Sequence, residues 1–419
     1  MDSMIYGTAM VEEERAMHDA LPPVAHPVDV TLPLSVDMVD TAALSTTAIA
    51  EWDALCSASG EANVFALPWM LLPAFAFLNA SDDASLAIVR DATGRMIGMM
   101  PLITAPRLGR IPISTVSDWC HPNSFLSPIS IVAGAETMFW QAMIPVLTQL
   151  APSARQFAIN AIAKDGAVHR GLLAAAAASN MPIAIERQFQ RALLAPTVDA
   201  ETYWDAAVRP KKRKELRRQW NRLGEEGVIT MGRLASGGDV APWIDEFLAL
   251  EASGWKGRGG SALASSPATD QFMRAALASA HTTGSLCFTA LRLDGRAIAM
   301  LITLTSGDAG FGFKTAFDEA FGRFSPGVLL QRESLDILVE RNLAWIDSCA
   351  APDHPMIDSL WRERRTIISL SMPLPGRANR ILFGAAQVAK AVWAVAKSIA
   401  AFSRRTATQL YHGPEGKPS

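Results

Sequence analysis

The stretch SLAIVRDATGRMIGMMPLI, residues 85 to 103, and the stretch SLCFTALRLDGRAIAMLITL, residues 285 to 304, carry one pattern in two distant places. Each reads as strand, turn and strand, the turns falling at Ala92 to Gly94 and at Asp294-Gly295. GRMIGM at 94 to 99 sits against GRAIAM at 295 to 300, with Gly, Arg, Ile and Met matched and a small residue at the fifth place. Both hairpins follow a helical segment and precede further strands, so a duplicated α/β unit is predicted. A chain of 419 residues also exceeds the roughly 250 to 300 residues at which a single core stops growing.

Residues 1 to 45 are rich in Pro, Asp, Ala and Thr and read as a tail or loosely docked arm. Folding is expected to begin near Ile49, where IAEWDALCSAS has helical spacing, followed by the apolar NVFALPWMLLPAFAFL with Pro68 and Pro73. GLLAAAAASNMPIAI reads as a helix and a strand, and APTVDAETYWDAAV as the connection, so the boundary is expected near 195 to 208. The units become 46–200 and 201–375, with a basic amphipathic helix and tail at 376–419. The second unit reads helix, helix, hairpin, two strands around GFGFKTAF, the helix after Pro326, the strand LAWIDSCA and a segment near Trp361. That order gives an α/β (α+β) fold with mixed, largely antiparallel sheets flanked by helices.

Half the residues are hydrophobic and the formal net charge is -3, which argues against a general nucleic-acid binder and against an acidic disordered chain. Cys56, Cys120, Cys287 and Cys349 are far apart without a C-x-x-C pair, so no zinc cage or disulfide framework is expected. Acids precede any apolar segment at the start, the wrong order for a secretory signal, and a cytoplasmic protein is expected. The nearest approach to a membrane span, residues 381 to 402, is interrupted by Gln387, Lys390 and Lys397.

Four stretches carry candidate chemistry. In RFSPGVLLQRESLDIL, residues 323 to 338, Ser325 is placed to cap a helix, Pro326 to start it, and Gly327 to admit a ligand to the backbone. Such a helix start suits phosphate or pyrophosphate, with Arg323 just upstream. RPKKRKELRRQWNRLGEEG, residues 209 to 227, reads as an amphipathic basic helix with Leu216, Trp220 and Leu223 on one face, which points to an anionic partner. FLALEASGWKGRGGSALASSPATDQF, residues 247 to 272, enters a Gly/Ser/Ala-rich loop with Glu251, Trp255 and Lys256 at its hinge, as in a mobile lid. GFKTAFDEAFGRFSPG places Lys314, suited to phosphate, and Asp318, suited to accept a proton, ahead of the Ser-Pro-Gly turn.

The order KKRKELRRQWNRLGEEG, LEASGWKGRGGSA, LRLDGRAIAMLITL, FGFKTAFDEAFGRFSPGVLL and WIDSCAAPDHPMIDSLW resembles the GNAT-type acyltransferases of the cellulose-biosynthesis CelD group, related to FemAB-like proteins, over about residues 45 to 370. The resemblance implies tandem GNAT-like units and transfer of an acyl group from an acyl-CoA, used as co-substrate without a metal, to an amine. The acceptor would be a lipid amine such as a sphingoid base, or an amino sugar or polysaccharide precursor. CoA pyrophosphate would sit at the helix after Ser325, bound by Lys314, Arg323, Ser325 and Gly327. Glu251, Asp318 or His354 would handle the proton, and Trp255, Lys256, Asp118 and His121 would face the acceptor. The chain departs from the family where Arg323 precedes Gly327 by four positions and where HPMIDSLW replaces a Tyr-Lys pair before Trp. Aminoacyl transfer from charged tRNA, with nucleic acid at the basic helix, and a non-catalytic scaffold in envelope or polysaccharide assembly are the competing expectations.

From Arg377 to His412 the chain holds Arg377, Arg380, Lys390, Lys397, Arg404 and Arg405 and no acid. Gln387, Lys390, Lys397 and Arg404 recur at helical intervals, so a cationic face and an apolar remainder are expected, suited to peripheral attachment at an anionic inner-membrane surface.

Overall fold

The computed structural model describes residues 30–79, 83–107 and 112–393. The first unit runs β1 (Ser35–Val39), α1 (Thr46–Ser57), α2 (Pro68–Leu78), β2 (Ser85–Arg90), β3 (Met96–Ala105), β4 (Thr115–Asp118), β5 (Ser130–Ile131), α3 (Glu136–Leu150), β6 (Gln156–Ala163), α4 (Ala167–Ala178) and β7 (Ala184–Leu194). Two connecting helices follow, α5 (Ala200–Ala207) and α6 (Pro210–Gly224). The second unit runs β8 (Ile229–Arg233), α7 (Ala241–Ser253), α8 (Trp255–Arg258), α9 (Pro267–Thr282), β9 (Leu286–Leu293), β10 (Arg296–Ser306), β11 (Ala309–Phe317), α10 (Pro326–Leu330), α11 (Glu333–Glu340), β12 (Trp345–Asp347) and β13 (Glu363–Pro373). Helix starts follow local chemistry: Ser45 Oγ accepts from Ala48 N at 3.2 Å ahead of α1, Asp199 accepts from Thr202 N ahead of α5, and prolines occupy first-turn positions in α2, α6, α7, α9 and α10.

The thirteen strands make one mixed sheet in the order β1-β2-β3-β4-β6-β13-β7-β12-β11-β10-β9-β8, with β5 paired to β3. Its two ends mirror each other. β1 pairs antiparallel with β2 as β8 does with β9, and β4 runs parallel to β6 as β11 does to β12. The final strands are exchanged: β7 pairs with β12 of the second unit, whereas β13 fills the place between β6 and β7. The units expected as 46–200 and 201–375 therefore share one sheet, and one hydrophobic core reaches from Trp52 and Phe65 to Phe272, Phe311 and Leu370.

A polar device repeats with the hairpins. Arg90 on β2 pairs with Glu51 of α1 and donates to Gly94 O, while Met96 N donates to Glu51 Oε1 at 2.8 Å. Arg292 on β9 pairs with Glu246 of α7 and donates to Gly295 O, while Ala297 N donates to Glu246 Oε1 at 3.1 Å. In each unit one carboxylate on the first helix satisfies an arginine and the backbone just past the turn, and so fixes helix against hairpin. This is the physical content of the matched GRMIGM and GRAIAM stretches.

Two boundaries differ from expectation. Residues 35–45 are not a loose arm: β1 extends the sheet along β2 from Ser35↔Arg90 to Val39↔Leu86, because Val36 and Val39 pack on the core. Residues 1–29 lie outside the described part. At the other end a helix covers 377–393, and the basic residues from Lys397 onward lie outside the described part. Among the described residues no helix is long and apolar enough to cross a membrane.

Candidate functional site

Parallel pairing of β11 with β12 spans only Ala309↔Trp345, Gly310↔Ile346 and Phe311↔Asp347. β11 continues to Phe317 along β10, whereas the chain leaves β12 through Ser348 and Cys349, the latter left-handed with φ of 52°. The strands thus diverge. Among the described residues no strand pairs with the open edge of β11 from Gly312 to Phe317. A Cβ at Gly312 would stand 3.5 Å from the carbonyl oxygens of Asp347 and Ser348, at the apex of the opening. Unbonded N–H and C=O groups along such an edge are ready partners for an extended amide-bearing ligand.

The corresponding opening of the first unit is closed. Beyond the β4–β6 pairing, Asp118 Oδ1 accepts from Asn160 N at 2.8 Å and from its Nδ2 at 3.0 Å, and Cys120 Sγ donates to Asp118 Oδ2. Asp118, buried and with its carboxyl raised by that burial, thus joins its own two strands and is turned away from any acceptor. Only the second unit offers an open strand pair.

At the mouth of the opening lies α10. Ser325 adopts a left-handed conformation with φ of 52° and makes no side-chain cap, and its Oγ instead accepts from Gln219 Nε2 at 3.1 Å. Gly327 is buried, and a Cβ there would meet Phe317, Thr315 and Met356 at 3.5 to 3.8 Å. The protein's own side chains already use the space its hydrogen leaves. Arg323 pairs with Glu226 at 2.7 Å and lies over the Phe324 ring. Asp318 accepts from Ala320 N at 3.0 Å as cap of the following turn and pairs with Arg296. His354 lies in the loop between β12 and β13, two residues before Met356; its carbonyl accepts from Asp358 N at 3.0 Å, and its Nδ1 is buried without a hydrogen bond.

On the opposite face of β11 a second cluster forms. Gln331 of the segment joining α10 to α11 donates to Thr315 Oγ1 at 3.2 Å, so Lys314, the next residue along the strand, projects to the other side. The expected role of Lys314 at the phosphate turn does not fit this placement. Its ammonium lies 5.3 Å from the ring centre of Phe125 and 5.5 Å from that of Phe313. Burial, then repulsion from Lys256, brings its pKa down to about 8, while Glu251 acts in the other direction. Glu251 is buried and receives Lys256 Nζ at 2.7 Å and Leu263 N at 2.8 Å. His121 of the first unit faces the same region: burial, then Lys314, lowers its pKa to about 4. Its Nδ1 accepts from Asn123 N, which leaves Nε2 as the protonated nitrogen, buried without a partner.

Glu251, Lys256, Lys314 and His121 are therefore brought together from both units, while Ser325, Gly327 and His354 gather on the other side of β11. Trp255 is mostly exposed, and its N–H donates to Glu319 Oε1, which also holds Arg258. Together with Glu251 at Leu263, these bonds pin the stretch expected to be a mobile lid. Phe125 and Phe313, which frame Lys314, were not singled out by sequence, nor was the ion network behind them. Asp347 is fully buried and takes Arg191 Nε at 2.6 Å and Arg365 at 2.9 Å, Arg365 reaches Glu61, and Arg191 donates to Phe125 O at 2.9 Å. Burial pushes the Asp347 carboxyl up, but the two guanidiniums outweigh it and hold it below the usual range. Charged residues inside the apolar strands RALL and WIDS were the available signal.

The basic helix α6 buries Leu216 and Leu223 and leaves Trp220 partly exposed. Arg213 pairs with Asp205 and Arg218 with Glu215, while Lys211, Arg217 and Arg222 face outward. With Trp204 of α5 and Arg332, the helix walls a cavity of about 340 Å³.

Residues 210–354 match a protein family described as an acetyltransferase (GNAT) domain. None of the curated proteins compared matches the chain. Among solved structures, FemX is 11% identical and superposes with a TM-score of 0.51 over 84% of this chain and 99% of its own. A conserved protein of unknown function from Bacteroides thetaiotaomicron is 12% identical, with a TM-score of 0.50 over 81% of this chain and all of its own. At such identities the likeness speaks for the fold alone. The chain therefore has the fold of the GNAT and FemAB-like group, and its second unit carries the match to a GNAT acetyltransferase domain.

Proposed function

We propose that the protein transfers an acyl group from a CoA thioester to a primary amine, on a lipid amine such as a sphingoid base or on an amino sugar. The observation that carries this reading is the open edge of β11 opposite β12, present in the GNAT-like unit and closed by Asp118 and Asn160 in the other. The amides of the CoA pantetheine arm would pair with that edge as an added strand, with the pyrophosphate directed toward the Ser325-Pro326-Gly327 turn. The thioester carbonyl would then lie near the apex at Gly312, with the Lys314–Glu251 cluster across the strand on the acceptor side.

In this arrangement the amine nitrogen attacks the thioester carbon, and charge develops on the carbonyl oxygen. The Lys314 ammonium, mostly charged at neutral pH with its pKa near 8, supplies a preorganised cation for that oxyanion. Collapse of the tetrahedral intermediate breaks the C–S bond and CoA leaves as thiolate, which takes up a proton. The proton lost by the amine passes to Glu251 through water. Asp318, already engaged as a cap and with Arg296, is the weaker candidate.

The test is release of CoA thiol from acyl-CoAs of increasing chain length, with and without a primary amine. Amine-dependent release together with amide product in the mass spectrum supports the reading. Consumption of aminoacyl-tRNA without any affinity for CoA would replace it with aminoacyl transfer, to which the outward charges of α6 are suited.

A further inference from the structure

The helix over 377–393 is mounted with its polar side inward. Gln387 Nε2 and Lys390 Nζ both donate to Glu186 Oε1 of β7, at 3.2 and 2.5 Å, Arg380 donates to Asn180 O at 2.5 Å, and Phe383 and Ala386 are buried beneath. At 100° per residue these docked positions, 383, 386, 387 and 390, fall in one sector. The residues opposite are Ile381, Gly384, Ala385, Val388, Ala389 and Val392, without a charge or a hydrogen-bonding side chain. Ile381 is 74% exposed, Val388 65% and Val392 63%. The cationic face expected to meet lipid headgroups is thus spent on the protein, and an apolar strip fixed by Glu186 faces outward.

Contiguous apolar surface of this kind marks a contact site. A second copy of the chain is disfavoured by charge, because an isologous contact would set two stretches from 377 to 412 side by side, each with six basic residues and no acid. An anionic bilayer complements the same charges and accepts the apolar strip. We infer that the outward face of Ile381, Val388 and Val392 is a membrane-docking strip that seats the protein in the interface of an anionic bilayer, with Arg377 and the basic residues beyond 393 at the headgroups. The docking of Gln387 and Lys390 onto Glu186 would hold the strip at a fixed orientation to the rest of the fold.

The test is co-sedimentation of the full chain with vesicles of phosphatidylglycerol and, separately, of phosphatidylcholine, without CoA, so that the outcome is independent of acyl transfer. Wild type is expected to bind phosphatidylglycerol vesicles more tightly than phosphatidylcholine. Val388→Glu with Val392→Glu, at exposed positions, should keep the melting temperature and lose about tenfold or more in vesicle affinity. Equal binding by wild type and variant, or no binding by wild type, would overturn the inference. Sedimentation of wild type as a dimer that the double variant separates would assign the strip to a second copy instead.

Discussion

The Lys256 ammonium stands 2.7 Å from the Glu251 carboxylate, whose second oxygen holds Leu263 N. One buried carboxylate thus fastens both ends of the α7–α9 connection while facing Lys314. Glu251→Gln keeps an oxygen for Leu263 N but removes the charge that Lys256 and Lys314 share. Turnover is expected to fall about 10²-fold, the usual scale for loss of a general base, with CoA affinity little changed. Steady-state kinetics beside calorimetry would show this, and full turnover in the folded variant would move proton removal to another group, with His354 the next to test.

Lys314 gives a signature in pH. Acting as a cation, it should let activity decline as pH rises through about 8. Lys314→Arg should shift that decline upward, since guanidinium stays charged. For stability the sign is opposite: the folded pKa lies below that of the unfolded chain, so the destabilisation is full below about 8 and relieved as pH climbs toward 10.5. Lys314→Met should therefore stabilise the protein at pH 7, by at most about 3 kcal/mol, and less at pH 10. Urea melts at the two pH values would measure the difference.

Asp347 balances Arg191 and Arg365 where β7, β12 and β13 meet. Asp347→Asn leaves two guanidiniums in the interior with Glu61 as the remaining anion, and a loss of about 3 to 5 kcal/mol is expected. The stabilisation from this depressed carboxyl is present above its unfolded pKa and fades as pH falls through the folded value. Denaturant melts of the variant at pH 7 and of wild type into the acid range would follow both effects.

The repeated glutamates offer a separate check of the duplication. Glu51→Ala and Glu246→Ala each remove an arginine partner and a backbone acceptor. Each should cost about 1 to 2 kcal/mol, and the double variant should show the sum because the two sites share no partner. A marked departure from additivity in chemical denaturation would indicate coupling through the shared sheet.

Much of this architecture was legible in the chain. The hairpin repeat announced two units because Glu51 and Glu246 demand the same Arg, Gly and backbone arrangement in each. The exchange of β7 and β13 was not legible, since strand order depends on pairings between segments far apart in sequence. Loop and turn residues were recognised by type, yet their partners were hidden: Ser325 turns to Gln219, Asp318 to Ala320 N and Arg296, and Asp118 to Asn160. Glu251 and Lys256 were singled out at the hinge, and Lys314 further along, but only alternation along β11 reveals that Lys314 joins them and not the phosphate turn.

The acyl-CoA reading turns on the opening between β11 and β12, and isothermal titration of CoA into wild type and Gly312→Val tests it most directly. The valine Cβ would sit 3.5 Å from the Asp347 and Ser348 carbonyls, filling the apex with branched carbon. Wild type is expected to bind one CoA per chain, and a folded Gly312→Val to bind it at least about tenfold more weakly. Equal affinity in the two proteins would place CoA elsewhere, and absence of binding to wild type would contradict acyl-CoA as the donor.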